Sequence, residues 1–276
     1  MITFSKLGKY GRLGNQLFQY AILIVIREKI GYEIKLHDLS KTVWHGQKNL
    51  LNNFNLKYEN IEESDKVEFL FEEKKNFDID VFNIKDNTDL FGYFGDYRYL
   101  KGYEDKIIEE LTPKNELLIK SKSIIDEIKI KHKNYKIISL HLRRGDTDLS
   151  IYDGPIDKSI WGKYFSNAKL KFSNQKCKFL VFTGGSRNED PKSDYLWCKN
   201  NLIGDDFIFI EENSTIFDFC TMLCCDGHIL APTSTLSWWV GFLNKDKCKI
   251  TVAPKYYKFL KHEPEDGFYP DFFELV

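Results

Sequence analysis

The stretch that most constrains the fold is Tyr135 to Asp146, YKIISLHLRRGD. Its first part, Ile137 to Leu142, is an apolar run with β-branched residues and the length of a buried strand. It then breaks abruptly into His141, Arg143, Arg144, Gly145 and Asp146. A buried strand ending in adjacent arginines delivers fixed positive charge to the carboxyl edge of a sheet, where open α/β sheets bind ligands. The planar guanidinium fork suits phosphate, because it makes paired charge-assisted hydrogen bonds. The alternative is a surface ion-pair cluster that happens to follow a strand.

Further strands and helices alternate downstream. Lys178 to Phe182 is an expected strand running into Thr183, Gly184 and Gly185, and Phe207 to Ile210 is another. Thr215 to Cys225 is an expected helix, Gly227 to Leu230 a strand, Ser234 to Leu243 a short helix and Lys249 to Val252 a last strand. This alternation argues for a parallel, doubly wound sheet. Four strand ends, before Arg143, Thr183, Glu211 and Thr233, are placed to converge on one ligand. Hydroxyls at Thr233, Ser234, Thr235 and Ser237 crowd a strand-to-helix junction, which suits a phosphate. Plain N-capping, with Trp238 and Trp239 as core, is the alternative.

The first half opens with Ile2 to Leu7 as a strand and a loop, GKYGRLGNQ, with three glycines in Gly8 to Gly14. Asn15 to Ile30 reads as an apolar helix closed by Gly31, and Tyr32 to His37 as a second strand. Strand, glycine loop, helix and strand make half of a dinucleotide-type fold, with the helix N-terminus aimed at whatever the loop holds. Ser40 to Asn87 is polar and weakly periodic and carries no catalytic signal. Leu90 to Leu100, LFGYFGDYRYL, reads as core packing, with a sugar-stacking surface as the alternative. Thr112-Pro113 reads as the start of a helix, from about Lys114 to Lys131, that leads into the Ile137 strand. At 276 residues and 42% apolar content the chain can build two cores of roughly 130 residues each, with a boundary near Lys133, giving domains 1–133 and 134–276.

Net charge is −1, from 40 basic and 41 acidic residues, which gives no global attraction to nucleic acid or anionic membrane. The N-terminal MITFSKLGKY lacks a cationic region followed by an apolar one, and the longest apolar run, Ala21 to Ile26, is too short to span a bilayer. A soluble cytoplasmic protein is expected, with work at the inner face of a membrane left open. Cys220, Cys224, Cys225 and His228 fall within nine residues, but without the spacing of a zinc site, and their helix favours buried thiols.

GRLGNQLFQYA (Gly11 to Ala21), SLHLRRGD (Ser139 to Asp146) and STLSWWVGFLN (Ser234 to Asn244) resemble the signature segments of glycosyltransferase family 11, which contains the α-1,2-fucosyltransferases. LFGYFGDYRYL resembles the family's GYF-containing segment. The resemblance implies a GT-B-like α/β fold, two Rossmann-type domains facing a cleft. It implies inverting transfer from GDP-fucose to a galactose-containing glycan, with no metal or other cofactor. It places Arg143 and Arg144 on the donor diphosphate and His141 near the guanine. Ser234, Thr235, Leu236 and Ser237 would hold the pyrophosphate, and Gly11, Arg12, Gly14, Asn15 and Gln16 would approach the reacting centre from the other domain. Thr183 and Asp190 complete the expected donor contacts. The family's FSDD-like acidic motif is replaced here by FTGGSRNEDPKSDYLW, which leaves Glu189, Asp190 and Asp194 as candidates for its role. Asp146 is either the general base or a salt-bridge lock on the arginines. Two other functions stay open: a metal-dependent glycosyltransferase using Asp146-Thr147-Asp148, and a non-catalytic nucleotide-sugar or glycan binder.

Overall fold

The computed structural model describes residues 1–44, 47–74, 77–144, 151, 153, 158–184, 193–210, 214–232, 234–244, 249–255 and 267–276. These form two compact units, Met1–Lys114 with Asp266–Pro270, and Asn115–Glu265 with Asp271–Val276.

The first unit is built on one helix, α1 (Leu13–Ile30), in which every residue from Gln16 to Ile26 is buried. A helix that is apolar nearly all round can only be central. It ends where Gly31, at φ 91°, returns its N–H to the Arg27 carbonyl. Around α1 lie short parallel strands. β1 (Ile2–Thr3) is bridged through Ile2 to Ile34, next to β2 (Lys35–Leu36). A small antiparallel ribbon follows, β3 (Val43–Trp44) with β4 (Gln47–Lys48). β5 (Glu59–Asn60) pairs with β2, and β6 (Phe69–Glu72) with β7 (Thr88–Phe91), which also pairs with β1. The expected strands Ile2 to Leu7 and Tyr32 to His37 are therefore shorter than their apolar runs. α2 (Glu104–Leu111) is tied to α1 by the buried Glu110, which accepts from the Tyr20 hydroxyl at 3.1 Å and pairs with Arg27. The helix expected from about Lys114 to Lys131 is α3 (Asn115–Lys131), and Pro113 bridges Phe54 just before it.

α3 belongs to the second unit, so the break falls after Lys114 rather than near Lys133. Six parallel strands follow: β8 (Lys136–His141), β9 (Cys177–Phe182), β10 (Phe207–Phe209), β11 (Gly227–Ile229), β12 (Thr251–Ala253) and β13 (Glu274–Leu275). Their spatial order is β10-β9-β8-β11-β12-β13. That is the doubly wound order, with the first strand of the unit at the centre. α4 (Ile160–Leu170) and α5 (Ser193–Asn201) carry the chain from β8 to β10 on one side. α6 (Thr215–Leu223) and α7 (Thr235–Phe242) carry it back across and out to β12. Right-handed crossovers put the two helix pairs on opposite faces. Ile137 to His141 is buried throughout, as a strand covered on both faces requires. Ile138 and Leu140 share a cluster with Trp161, Phe165, Phe179 and Ile229. Each fully buried aliphatic side chain contributes about 1.5–3 kcal/mol. No helix among the described residues is long and apolar enough to cross a membrane.

His228 in β11 is fully buried, with Nδ1 2.9 Å from the Ser139 hydroxyl of β8. Burial, followed by the nearby Lys249 cation, holds its pKa at about 3 instead of 6.5. The unfolded chain takes up this proton as pH falls below 6.5, whereas the folded chain does not until about 3. Stability from this group is therefore complete above 6.5 and is lost between those values. Moving from pH 7 to pH 5 should cost about 2 kcal/mol at this position. Urea unfolding of His228→Gln should show a flatter pH dependence by that amount. An unchanged slope assigns the acid sensitivity to other groups.

Candidate active site

The chain order reverses between β8 and β11, so their carboxyl ends flank the crevice that doubly wound sheets use for ligands. His141, Leu142, Arg143 and Arg144 leave the end of β8, and Leu230 to Ser237 lead from β11 into α7. These are two of the three segments singled out in the sequence, and the topology brings them together.

Arg144 is held on two sides. Its Nη1 lies 3.4 Å from Asp194 Oδ1, and its guanidinium sits 4.2 Å from the Trp197 ring centre. Asp194 stands in the first turn of α5 and Trp197 one turn on, so one helix supplies both the counter-charge and the stacking surface. The Arg144 side chain is 12% exposed and that of Asp194 2%. Burial pushes the Asp194 carboxyl up, and the Arg144 cation pulls it back. Asp194, one of the three acidic residues left open by the sequence, is thus in contact with an arginine. Glu189 and Asp190 lie outside the described residues, as do Gly145, Asp146, Thr147, Asp148, Glu211 and Thr233.

His141 is buried at the end of β8. Burial first, and the Arg143 cation second, hold it at about 3, so it is neutral at physiological pH. Its Nδ1 has no hydrogen-bond partner among the described residues. Arg143 is partly exposed beyond it. Thr183 follows β9 beside the thiol of Cys198, which burial pushes up to about 12.

The hydroxyl-rich junction divides into two pairs. Ser234 caps α7, its Oγ accepting from Ser237 N–H at 3.3 Å. Ser237 Oγ accepts from Ala231 N–H at 3.2 Å and donates to the Ser234 carbonyl at 3.3 Å. Both serines are buried and engaged in shaping the turn. Two of the four hydroxyls thus brace the helix start. Thr235 and Leu236, partly exposed in the first turn, are the residues of the four that present to solvent there. Trp238 and Trp239 are core.

In the first unit, Gly11 at φ +82° turns the chain into α1, and a Cβ there would lie 2.7 Å from the Asn15 side chain. Buried Gln16 donates from Nε2 to the Gly11 carbonyl at 2.8 Å, which closes the loop on the helix. Arg12 is the N-cap residue, Gly14 is buried in the first turn, and Asn15 is partly exposed beside it. The first turn of α1 carries no acidic residue. Cys220 and Cys225 are buried core thiols. No cluster of three or more His, Cys, Asp or Glu among the described residues could hold a metal ion. One cavity of about 680 Å³ lies elsewhere, lined by Tyr135, Phe165, Cys177, Phe179 and Phe207. It sits at the amino ends of β8 to β10, the edge opposite Arg143 and Arg144.

The chain is 25% identical over 270 residues to an alpha-1,2-colitosyltransferase of Escherichia coli, covering 88% of this chain and 89% of that protein. It is 26% identical over 168 residues to a galactoside 2-alpha-L-fucosyltransferase of Caenorhabditis elegans, covering 57% of this chain and 43% of the relative. Its fold is similar to that of the fucosyltransferase NodZ from Bradyrhizobium, with a TM-score of 0.54 at 15% identity, over 87% of this chain and 91% of that one. The sequence model of Glycosyl transferase family 11 matches residues 4–274, so the chain belongs to that family and is a glycosyltransferase.

Proposed function

We propose that the protein transfers fucose from GDP-fucose to a hydroxyl of a galactose-containing glycan, inverting the anomeric centre and forming an α-1,2 linkage. The observation that carries this is the arginine pair at the carboxyl end of the central strand, with Arg144 fixed by Asp194 and Trp197. Relatives named for colitosyl and fucosyl transfer support the sugar class.

Breaking the fucosyl–phosphate bond sends its electron pair onto the departing GDP while the acceptor oxygen attacks the opposite face of the anomeric carbon. Cations already in place stabilise that charge without reorganising, which is the largest contribution expected of such a site. Arg143 and Arg144 supply the charge, and the N–H groups at Thr235 and Leu236 add donors at a helix start. Neutral His141 offers the guanine one hydrogen-bond donor and one acceptor without adding charge near the phosphates. The acceptor hydroxyl gives its proton to a carboxylate, for which Asp146 beside the arginines is the candidate.

A strand-end guanidinium needs no metal to neutralise a diphosphate, so transfer should survive excess EDTA. Activity lost to EDTA and restored by Mn²⁺ would transfer the case to Asp146-Thr147-Asp148. Arg143→Ala should lower transfer on the order of 10²–10³-fold, with little change in unfolding temperature. Arg143→Lys should rescue poorly, since an ammonium lacks paired donors. A folded Arg143→Ala that keeps most of its activity would overturn the donor assignment. Asp194→Asn should cost roughly tenfold in transfer with a raised KM for the donor, because Arg144 loses its counter-charge. A product formed with GDP-colitose and none with GDP-fucose would change the donor.

A further inference from the structure

A ladder of three rings stands at the carboxyl edge of the first unit's sheet. Tyr10 lies between Phe91, at 5.2 Å and 33°, and Tyr93, at 4.7 Å and 21°. Phe91 ends β7, Tyr93 follows it by two residues, and Tyr10 follows β1 on the loop into α1. Tyr93 closes the ladder and is 44% exposed, in a segment where Phe91 is half-buried and Phe94, Tyr97 and Tyr99 are core. LFGYFGDYRYL is thus core packing at Leu90, Phe94, Tyr97, Tyr99 and Leu100, with Tyr93 its exposed ring.

The backbone beneath the two tyrosines is clamped by buried polar groups. Gln19, fully buried in α1, donates from Nε2 to the carbonyls of Tyr10 at 3.2 Å and Gly92 at 3.1 Å, which ties the two loops together. Glu73, just past β6, accepts from the N–H groups of Tyr93 at 2.9 Å and Phe94 at 2.8 Å. Its other oxygen accepts from the Tyr99 hydroxyl at 2.8 Å. Gly92 has φ +154°, and a Cβ there would lie 2.6 Å from Glu73 Cβ, so only glycine lets the chain close onto the carboxylate. Phe94 is held at φ 51°, a region bulky side chains avoid. Its ring packs against Phe4, Phe71 and Tyr99. Strain retained at a residue next to an exposed aromatic is the mark of a conformation fixed for use.

An immobilised aromatic face beside phenolic hydroxyls matches the C–H face and hydroxyl rim of a pyranose. The ladder is uncharged, which suits a neutral sugar better than a diphosphate. We propose that Tyr93, backed by Tyr10, is the stacking platform for a pyranose ring of the acceptor glycan. This rests on the glycosyl-transfer function proposed above and assigns the acceptor a place on the first unit. The Tyr93 phenol, pushed up to about 12 by burial and by the adjacent Tyr10 hydroxyl, stays protonated and able to donate.

The test is saturation-transfer NMR with methyl β-galactoside and no donor, alongside steady-state kinetics. Protons of one pyranose face should be saturated by the wild type and by Tyr93→Phe. They should be lost with Tyr93→Ala and with Tyr93→Leu, which keeps the volume without the aromatic face. The acceptor KM should rise roughly tenfold in the last two, with GDP affinity unchanged. Absence of galactoside saturation in the wild type, or an acceptor KM that ignores Tyr93, overturns the platform, as does weakened GDP binding in place of weakened galactoside binding. A wild type that binds the galactoside through Tyr93 yet transfers nothing from GDP-fucose leaves the platform standing and removes the proposed donor chemistry.

Discussion

A guanidinium at the end of a strand buried on both faces is tolerable only if something compensates its lost hydration. In this protein the compensation comes from one helix. Asp194 in the first turn of α5 faces Arg144, and Trp197 covers the flat side of the same guanidinium. The Coulomb attraction of a pair this poorly exposed is screened far less by solvent than that of a surface pair. Arg144 therefore has a fixed position before any substrate arrives. The doubly wound order sets that fixed charge at the reversal point, next to the start of α7. Fold and electrostatics thus depend on the same strand.

The second unit was legible because its strands and helices carry strong, short-range signals. Ile137 to Leu142, KFLVF and FIFI are apolar at nearly every position, as parallel strands with two covered faces must be. The edges differ by one or two residues, where pairing rather than hydrophobicity decides the end. The helix Ile160–Leu170 went unseen, since Gly162, Ser166 and its aromatics blur the helical period. The break between units falls after Lys114, ahead of the boundary near Lys133 that the sequence suggests. α3 packs on α6, a contact no local pattern reveals. In the first unit, strands of two to four residues and single helical turns such as Leu51–Asn53 leave no periodicity to read.

The site was legible in its cations and obscure in what holds them. Arginines after a strand are conspicuous, whereas the contact of Asp194 with Arg144 depends on where α5 begins relative to β8. The four hydroxyls before Trp238 drew attention as ligand donors, yet Ser234 and Ser237 turn out to serve the backbone. Capping and binding use the same atoms, so composition alone does not separate them. Tyr93 is the converse case: one exposed ring inside an aromatic core segment, identifiable only once burial is known.

β6 has a consequence for the solution behaviour of the protein. It pairs only with β7 among the described strands, and its Phe69 and Leu70 are 39% and 68% exposed. A free edge with an FLF core is a template on which a second molecule could add a strand. Glu68 and Glu72 bracket those three residues, and Lys85 lies over the Phe69 ring at 5.0 Å. Charged side chains flanking an edge strand are a common guard against such addition, so here the guard is electrostatic and not steric.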